Sequence, residues 1–188
     1  MKAFDFDNTL YHGESSLDFA LFMIKKNKKI ILWLPRIFIN LLTYKLCLIK
    51  TEQIVSLINA FMKSVIKKDY DVEALVDEFW KENKQKLNKN LVKKISKDDV
   101  IITAGPSFLI NGIKKRLGTS NLICSVFDID KRCVEYLNFG ENKVKEYRKR
   151  YGDEKVDIFY TDSYNDKAMM EISKNVFLVG KNGIKRIK

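Results

Sequence analysis

Two carboxylates two residues apart, Asp5 and Asp7, stand in the run Lys2-Ala3-Phe4-Asp5-Phe6-Asp7-Asn8-Thr9-Leu10. Apolar residues lead into Asp5 as in a buried strand, and the polar Asn8-Thr9 pair ends it. Acids at a junction between strand and loop lie where open α/β sheets bind their ligands. Three further runs follow. In Val100-Ile101-Ile102-Thr103-Ala104-Gly105-Pro106-Ser107 a strand-like stretch ends in a hydroxyl, followed by small residues that let backbone amides approach a phosphate. Asn138-Phe139-Gly140-Glu141-Asn142-Lys143 is a glycine loop that delivers a lysine to the start of an expected helix. Val156-Asp157-Ile158-Phe159-Tyr160-Thr161-Asp162-Ser163-Tyr164-Asn165-Asp166 is another apolar strand ending in two carboxylates four residues apart. Taken singly, each has a plain structural reading. Asp162 and Asp166 could cap a helix, Lys143 could be a solvated lysine, and Thr103 could simply end a strand.

The elements that must position these groups alternate. Strand-like runs fall at residues 2–6, 99–103, 122–127, 157–161 and 175–179, and helix-like stretches at 107–117, 142–151 and 166–173. Alternation of this kind predicts a doubly wound, Rossmann-like parallel sheet, an α/β fold with all four runs at one sheet edge. Between residues 13 and 91 the pattern is helical only, with three- and four-residue apolar spacing over 51–65 and 71–87. The expected organisation is a catalytic core from 1–12 and 92–188, with an all-helical cap domain inserted at 13–91.

The order of acid pair, hydroxyl, lysine and acid pair resembles the haloacid dehalogenase superfamily of phosphotransferases, and the resemblance spans the chain. It implies a Mg²⁺-dependent phosphomonoester hydrolase. Asp5 would be the nucleophile that carries an aspartyl-phosphate. Asp7 would protonate the leaving oxygen and then deprotonate the attacking water, a task that suits a carboxylate with a raised pKa. Thr103 and Lys143 would bind the phosphoryl group. Mg²⁺, a hard ion that favours oxygen ligands, would be held by side chains of Asp5 and Asp162 and the carbonyl of Asp7, with Asp166 ordering the cluster from just outside. Substrate contacts are implied at Thr9, Glu14, Ala104 and Gly105. Halide-removing members do not need a general acid at the position of Asp7, so its presence argues against dehalogenation.

Within the superfamily, the helical insertion and the run Tyr160-Thr161-Asp162-Ser163 resemble the subclass that includes phosphoserine phosphatases, as does Glu14, nine residues after Asp5. Glu14 could equally be an acid favoured by a helix N-terminus. The second run departs from phosphoserine phosphatase itself, which usually shows Ser-Gly-Gly after the second strand, where this chain has Thr103-Ala104-Gly105-Pro106. Two other outcomes share the same core residues: transfer of the phosphoryl group to a sugar, and a non-catalytic phosphate- or membrane-binding role.

With 188 residues, 46% hydrophobic and 31% charged, the chain is expected to be globular, with one substantial core and room for a small second lobe. Cys47, Cys124 and Cys133 are odd in number and have no metal-binding spacing, which points to buried thiols in a reducing compartment. Met1 leads almost directly into the first strand, so a cytoplasmic location is expected. The net charge of +11 comes from lysine spread along the chain, and no aromatic-and-arginine stripe is present to stack bases, which argues against a nucleic-acid partner. His12 could touch substrate or lie incidentally on the surface.

An apolar tract at residues 30–49 is preceded by Lys25, Lys26, Lys28 and Lys29 and interrupted by Arg36, Asn40 and Lys45. Its uncharged runs are too short to span a bilayer. It fits a cap segment lying in the membrane interface over a lipid substrate, as in a branch of the subclass that includes phosphatidylglycerophosphate phosphatases. The reading preferred over membrane docking is a tightly packed helical cap or a contact between copies. The oligomeric state is not encoded legibly.

Overall fold

The computed structural model describes residues 1–33, 35, 39 and 51–188. The strands are β1 (Lys2–Phe4), β2 (Val100–Pro106), β3 (Asn121–Asp128), β4 (Cys133–Tyr136), β5 (Val156–Thr161), β6 (Ser173–Gly180) and β7 (Gly183–Arg186). They form one sheet in the order β4-β3-β2-β1-β5-β6-β7. The inner five are parallel, and β4 and β7 pair antiparallel at the two edges. The described helices are α1 (Ser15–Lys26), α2 (Thr51–Val65), α3 (Val72–Asn83), α4 (Lys89–Val92), α5 (Ser107–Ile113), α6 (Glu141–Tyr151) and α7 (Lys167–Glu171).

Side-chain alternation along the strands builds two cores. Phe4 and Ile101 point to one face and join Phe19 and Phe22 of α1, Phe79 and Trp80 of α3, and Ile110 and Ile113 of α5. Ala3, Val100 and Ile102 point to the other face and meet Tyr147 of α6 and Met169 of α7. This is the period-2 rule acting on strands buried on both sides. Both faces are covered, as a doubly wound sheet requires.

The described residues of segment 13–91 form helices joined by loops, with one bridge at Leu87, and the segment is joined to the sheet face. Trp80 Nε1 donates to the Leu109 carbonyl at 2.7 Å. Gly112 permits the contact: a Cβ there would lie 2.3 Å from the Val76 side chain. The chain enters and leaves the segment through paired linkers, with His12 N donating to Lys86 O and Asn88 N to Leu10 O, both at 2.8 Å.

Helix bounds follow local chemistry. Asp71 caps α3 by accepting from Ala74 N at 3.0 Å. Helix α5 stops at Ile113 and tightens into a 3-10 turn over Lys114–Arg116, shorter than the spacing predicts. The edge strands β4 and β7 go beyond the five expected runs; β7 is wholly exposed, so it has no apolar alternation to betray it. Residues 34, 36–38 and 40–50 of the apolar tract, including Cys47, lie outside the described residues, and so does the reading placed on them. Among the described residues no helix is long and apolar enough to cross a membrane.

Candidate active site

The β1 ladder continues one residue past the strand, where Asp5 N donates to Tyr160 O at 2.8 Å. The chain then folds back on a single acceptor: the Phe6 carbonyl takes bonds from Leu10 N at 2.8 Å and Tyr11 N at 2.9 Å. The Phe6 ring, fully buried, stacks on Tyr11 at 5.9 Å and meets the edge of Trp80 at 6.2 Å. A buried anchor thus separates the two acids. Asn8 adopts a positive φ of 55°, a conformation that asparagine tolerates better than most residues. Its Nδ2 donates to Glu14 Oε1 at 2.7 Å. Asp7 Oδ1 accepts from Ser15 N, the first residue of α1, at 2.6 Å. That contact at a helix N-terminus favours its ionised form.

Gly140, with φ +57°, turns the chain into α6, and Lys143 in the first turn points inward. Lys143 Nζ donates to Asp5 Oδ1 at 2.8 Å and to Asp166 Oδ1 at 2.6 Å, and all three side chains are more than nine-tenths buried. Thr161, at the end of β5, donates its hydroxyl to the other oxygen of Asp166 at 2.8 Å. Thr103 Oγ1 accepts from Gly105 N at 2.9 Å.

Electrostatics follow from this burial. Loss of solvent pushes the Asp5 carboxyl up to about 7, against the pull of Lys143 and with a further push from Asp166. Burial likewise raises Asp7 to about 6, opposed by its bond from Ser15. Asp162, half-buried, is raised by burial and by the charges of Glu14 and Asp166. Burial alone would lower Lys143, but Asp5 and Asp166 outweigh it and hold the ammonium above the ordinary lysine range.

The structure joins Asp5, Lys143 and Asp166 directly. Asp7 and Asp162 interact with that group through charge, and Glu14 with Asp7 and Asp162. Thr9 is buried, with its hydroxyl unpartnered among the described residues. Ala104 and Gly105 lie at the end of β2, and the Gly105 amide is spent on Thr103. His12 is exposed. No three acid, histidine or cysteine side chains among the described residues close into a preformed metal cage. Sequence reasoning passed over Thr161, Ser15 and Asn8, each of which holds one of the acids or its loop. Thr161 lay inside a quoted run; only its place one residue before Asp162 hinted at a role.

A family model of haloacid dehalogenase-like hydrolases matches residues 3–171. The chain belongs to that family. The haloacid dehalogenase-like fold is also that of a protein of unknown function from Bordetella pertussis Tohama I, 19% identical, with a TM-score of 0.74 over 94% of this chain and 87% of that one. A phosphoserine phosphohydrolase-like protein from Francisella tularensis, also 19% identical, matches with a TM-score of 0.60 over 94% and 86%. An apo phosphoserine phosphatase, 16% identical, matches with a TM-score of 0.56 over 93% and 82%. At these identities the likeness is one of fold. The search of curated proteins found no match.

Proposed function

We propose that this hydrolase is a Mg²⁺-dependent phosphatase that cleaves phosphomonoesters through an aspartyl-phosphate on Asp5. The observation that carries the reading is the buried Lys143 ammonium held between Asp5 and Asp166. It sets a fixed positive charge beside a carboxylate at a strand end, the arrangement needed to bring a nucleophilic anion and a phosphate together. The fold shared with a phosphoserine phosphatase supports it.

In the first step an Asp5 oxygen attacks phosphorus and the bond from phosphorus to the leaving oxygen breaks, with Asp7 donating its proton to that oxygen. In the second, Asp7 takes a proton from water as the water oxygen attacks phosphorus. The bond to Asp5 breaks, releasing inorganic phosphate and restoring both acids. A carboxyl raised towards neutrality suits both halves of the task. Lys143 neutralises charge on the phosphoryl oxygens, and Thr103 donates its hydroxyl to one of them.

The donor chemistry fits Mg²⁺. Asp5, Asp7, Asp162 and Asp166 crowd around one lysine, leaving negative charge that a cation would balance, and every donor is a hard oxygen. Asp5, Asp162 and the Asp7 carbonyl would hold the ion, with Asp166 behind them; few protein ligands suffice because Mg²⁺ keeps several waters. When bound it would supply charge stabilisation to the phosphoryl group. The helical segment 13–91 would act as the cap that shields the site from water.

The test is phosphate release with Mg²⁺ across soluble and lipid phosphomonoesters, with Asp5→Asn as control. Turnover abolished in the variant supports the mechanism. Absence of turnover from folded, metal-loaded protein on every substrate rejects it. Added acceptor alcohols separate hydrolysis from phosphoryl transfer. One observation favours a lipid substrate: Leu17, Leu21, Ile31 and Leu32 are exposed beside the exposed Lys25, Lys28 and Lys29. Flotation with anionic but not zwitterionic vesicles is the expected result for that variant of the reading.

A further inference from the structure

The ladder between β2 and β3 breaks between Ile102 and Pro106, where the chain carries Thr103-Ala104-Gly105. A break of this kind strips backbone carbonyls of their ladder partners, and buried carbonyls must find others. Two side chains supply them. Asn138 Nδ2 donates to Thr103 O at 2.9 Å and to Ile123 O at 3.0 Å. Ser125 Oγ donates to Ala104 O at 2.7 Å and accepts from Asn138 N at 2.9 Å. Both residues are fully buried. The orientation of the Asn138 amide is chemically determined, because turning it over would set its oxygen against two carbonyl oxygens.

Asn138 lies two residues before Gly140 and five before Lys143, so its bonds tie the approach to α6 to the end of β2. We infer that Asn138 and Ser125 form a clip that sets the position of Thr103 relative to Lys143, making both positioning residues for phosphoryl recognition. The inference rests on the phosphatase reading for the roles of Thr103 and Lys143, though not for the geometry. Without the clip, the Thr103 and Ala104 carbonyls lose their partners, the strand end relaxes and the hydroxyl moves away from the ammonium. Displacement of a substrate-positioning group by about 1 Å is worth up to about 100-fold in rate.

The experiment compares Asn138→Ala, Ser125→Ala and Ser125→Thr with Val176→Ala, which thins the core at β6, a strand separated from β2 by β1 and β5. Three quantities are read: kcat/KM for a phosphomonoester, the inhibition constant of inorganic phosphate, and hydrogen exchange at the Gly105 amide. Asn138→Ala and Ser125→Ala should lower kcat/KM about 10- to 100-fold, weaken phosphate inhibition and speed Gly105 exchange. Ser125→Thr, which keeps the hydroxyl, should recover most of the loss. Val176→Ala, though less stable, should leave all three within about twofold, the size of an uncoupled effect. Unchanged phosphate inhibition and Gly105 exchange in the two alanine variants overturn the clip, as does an equal loss in Val176→Ala. If Asn138→Ala does not fold, the Ser125 pair decides. A wild-type protein with no turnover sinks the phosphatase reading instead, and Gly105 exchange then judges the clip alone.

Discussion

Asp166 spends both carboxylate oxygens inside the protein, one on Lys143 at 2.6 Å and the other on Thr161 at 2.8 Å. The lysine is therefore steered by a residue that is itself held in place, and its tip stays beside Asp5. Lys143→Met should fold, because a similar stem fills the space, but should lose about 10²–10³-fold in kcat, the usual cost of removing one charge-stabilising donor. Asp166→Asn keeps the shape and removes one partner charge, so a smaller loss is expected. Steady-state kinetics on one phosphomonoester check both.

Replacing Asp5, the proposed nucleophile, should stabilise the metal-free protein. The Asp5 carboxyl titrates near 7 in the fold against an ordinary value of 3.8, so folding favours its protonated form. The stability it contributes is fully present below about pH 4 and is lost as pH rises through 7. Asp5→Asn escapes that loss. In chelator at pH 8 the variant should be more stable by roughly 1–2 kcal/mol, with the difference vanishing near pH 4. Thermal melts across pH measure it; a wild type that gains stability between pH 4 and 7 relative to the variant contradicts the burial argument.

In the proposed mechanism Asp7 acts on the leaving group, so its removal should be felt unequally. Asp7→Asn should cost about 10²–10⁴-fold on an alkyl phosphate, the range for lost general acid catalysis. On an aryl ester whose phenol departs without help, the first step should be nearly intact. Equal losses on both would move the proton donor elsewhere.

Gly112→Ala tests the joint between α3 and α5. A methyl 2.3 Å from Val76 must displace that side chain, and overpacking of this kind costs about 1–3 kcal/mol. Denaturant unfolding should show the loss while kcat stays within about twofold, since the contact touches none of the acids.

The inner five strands, and the placing of Asp5 and Asp162 just past two of them, were legible because buried parallel strands write themselves as apolar runs; β2 runs beyond Thr103 to Pro106, and Lys143 stands at the start of α6. Edge strands β4 and β7 were not: both are short, β4 is only half-buried and β7 wholly exposed, so pairing is their mark. The bond from Lys143 to Asp5 crosses 138 residues, and no local pattern encodes it; the order of the four runs implied only that both belong to one site. Ser125 and Asn138 stayed hidden for another reason. Their work is to satisfy carbonyls orphaned by a ladder break, and a ladder break has no compositional signature.

The central strand is also the shortest, and this orders how the protein is made. Ala3 pairs with Val100 on one side and with Phe159 on the other. Three residues cannot hold a strand conformation by themselves, so β1 waits for both partners, and pairing across such sequence distances forms slowly. On a ribosome the first acid of the site is translated before its partner strands and seated after them, only once residues 156–161 have emerged. Nascent chains that stop short of β5 carry Asp5 on a segment without its second partner strand, and the site is completed in one step when that strand arrives.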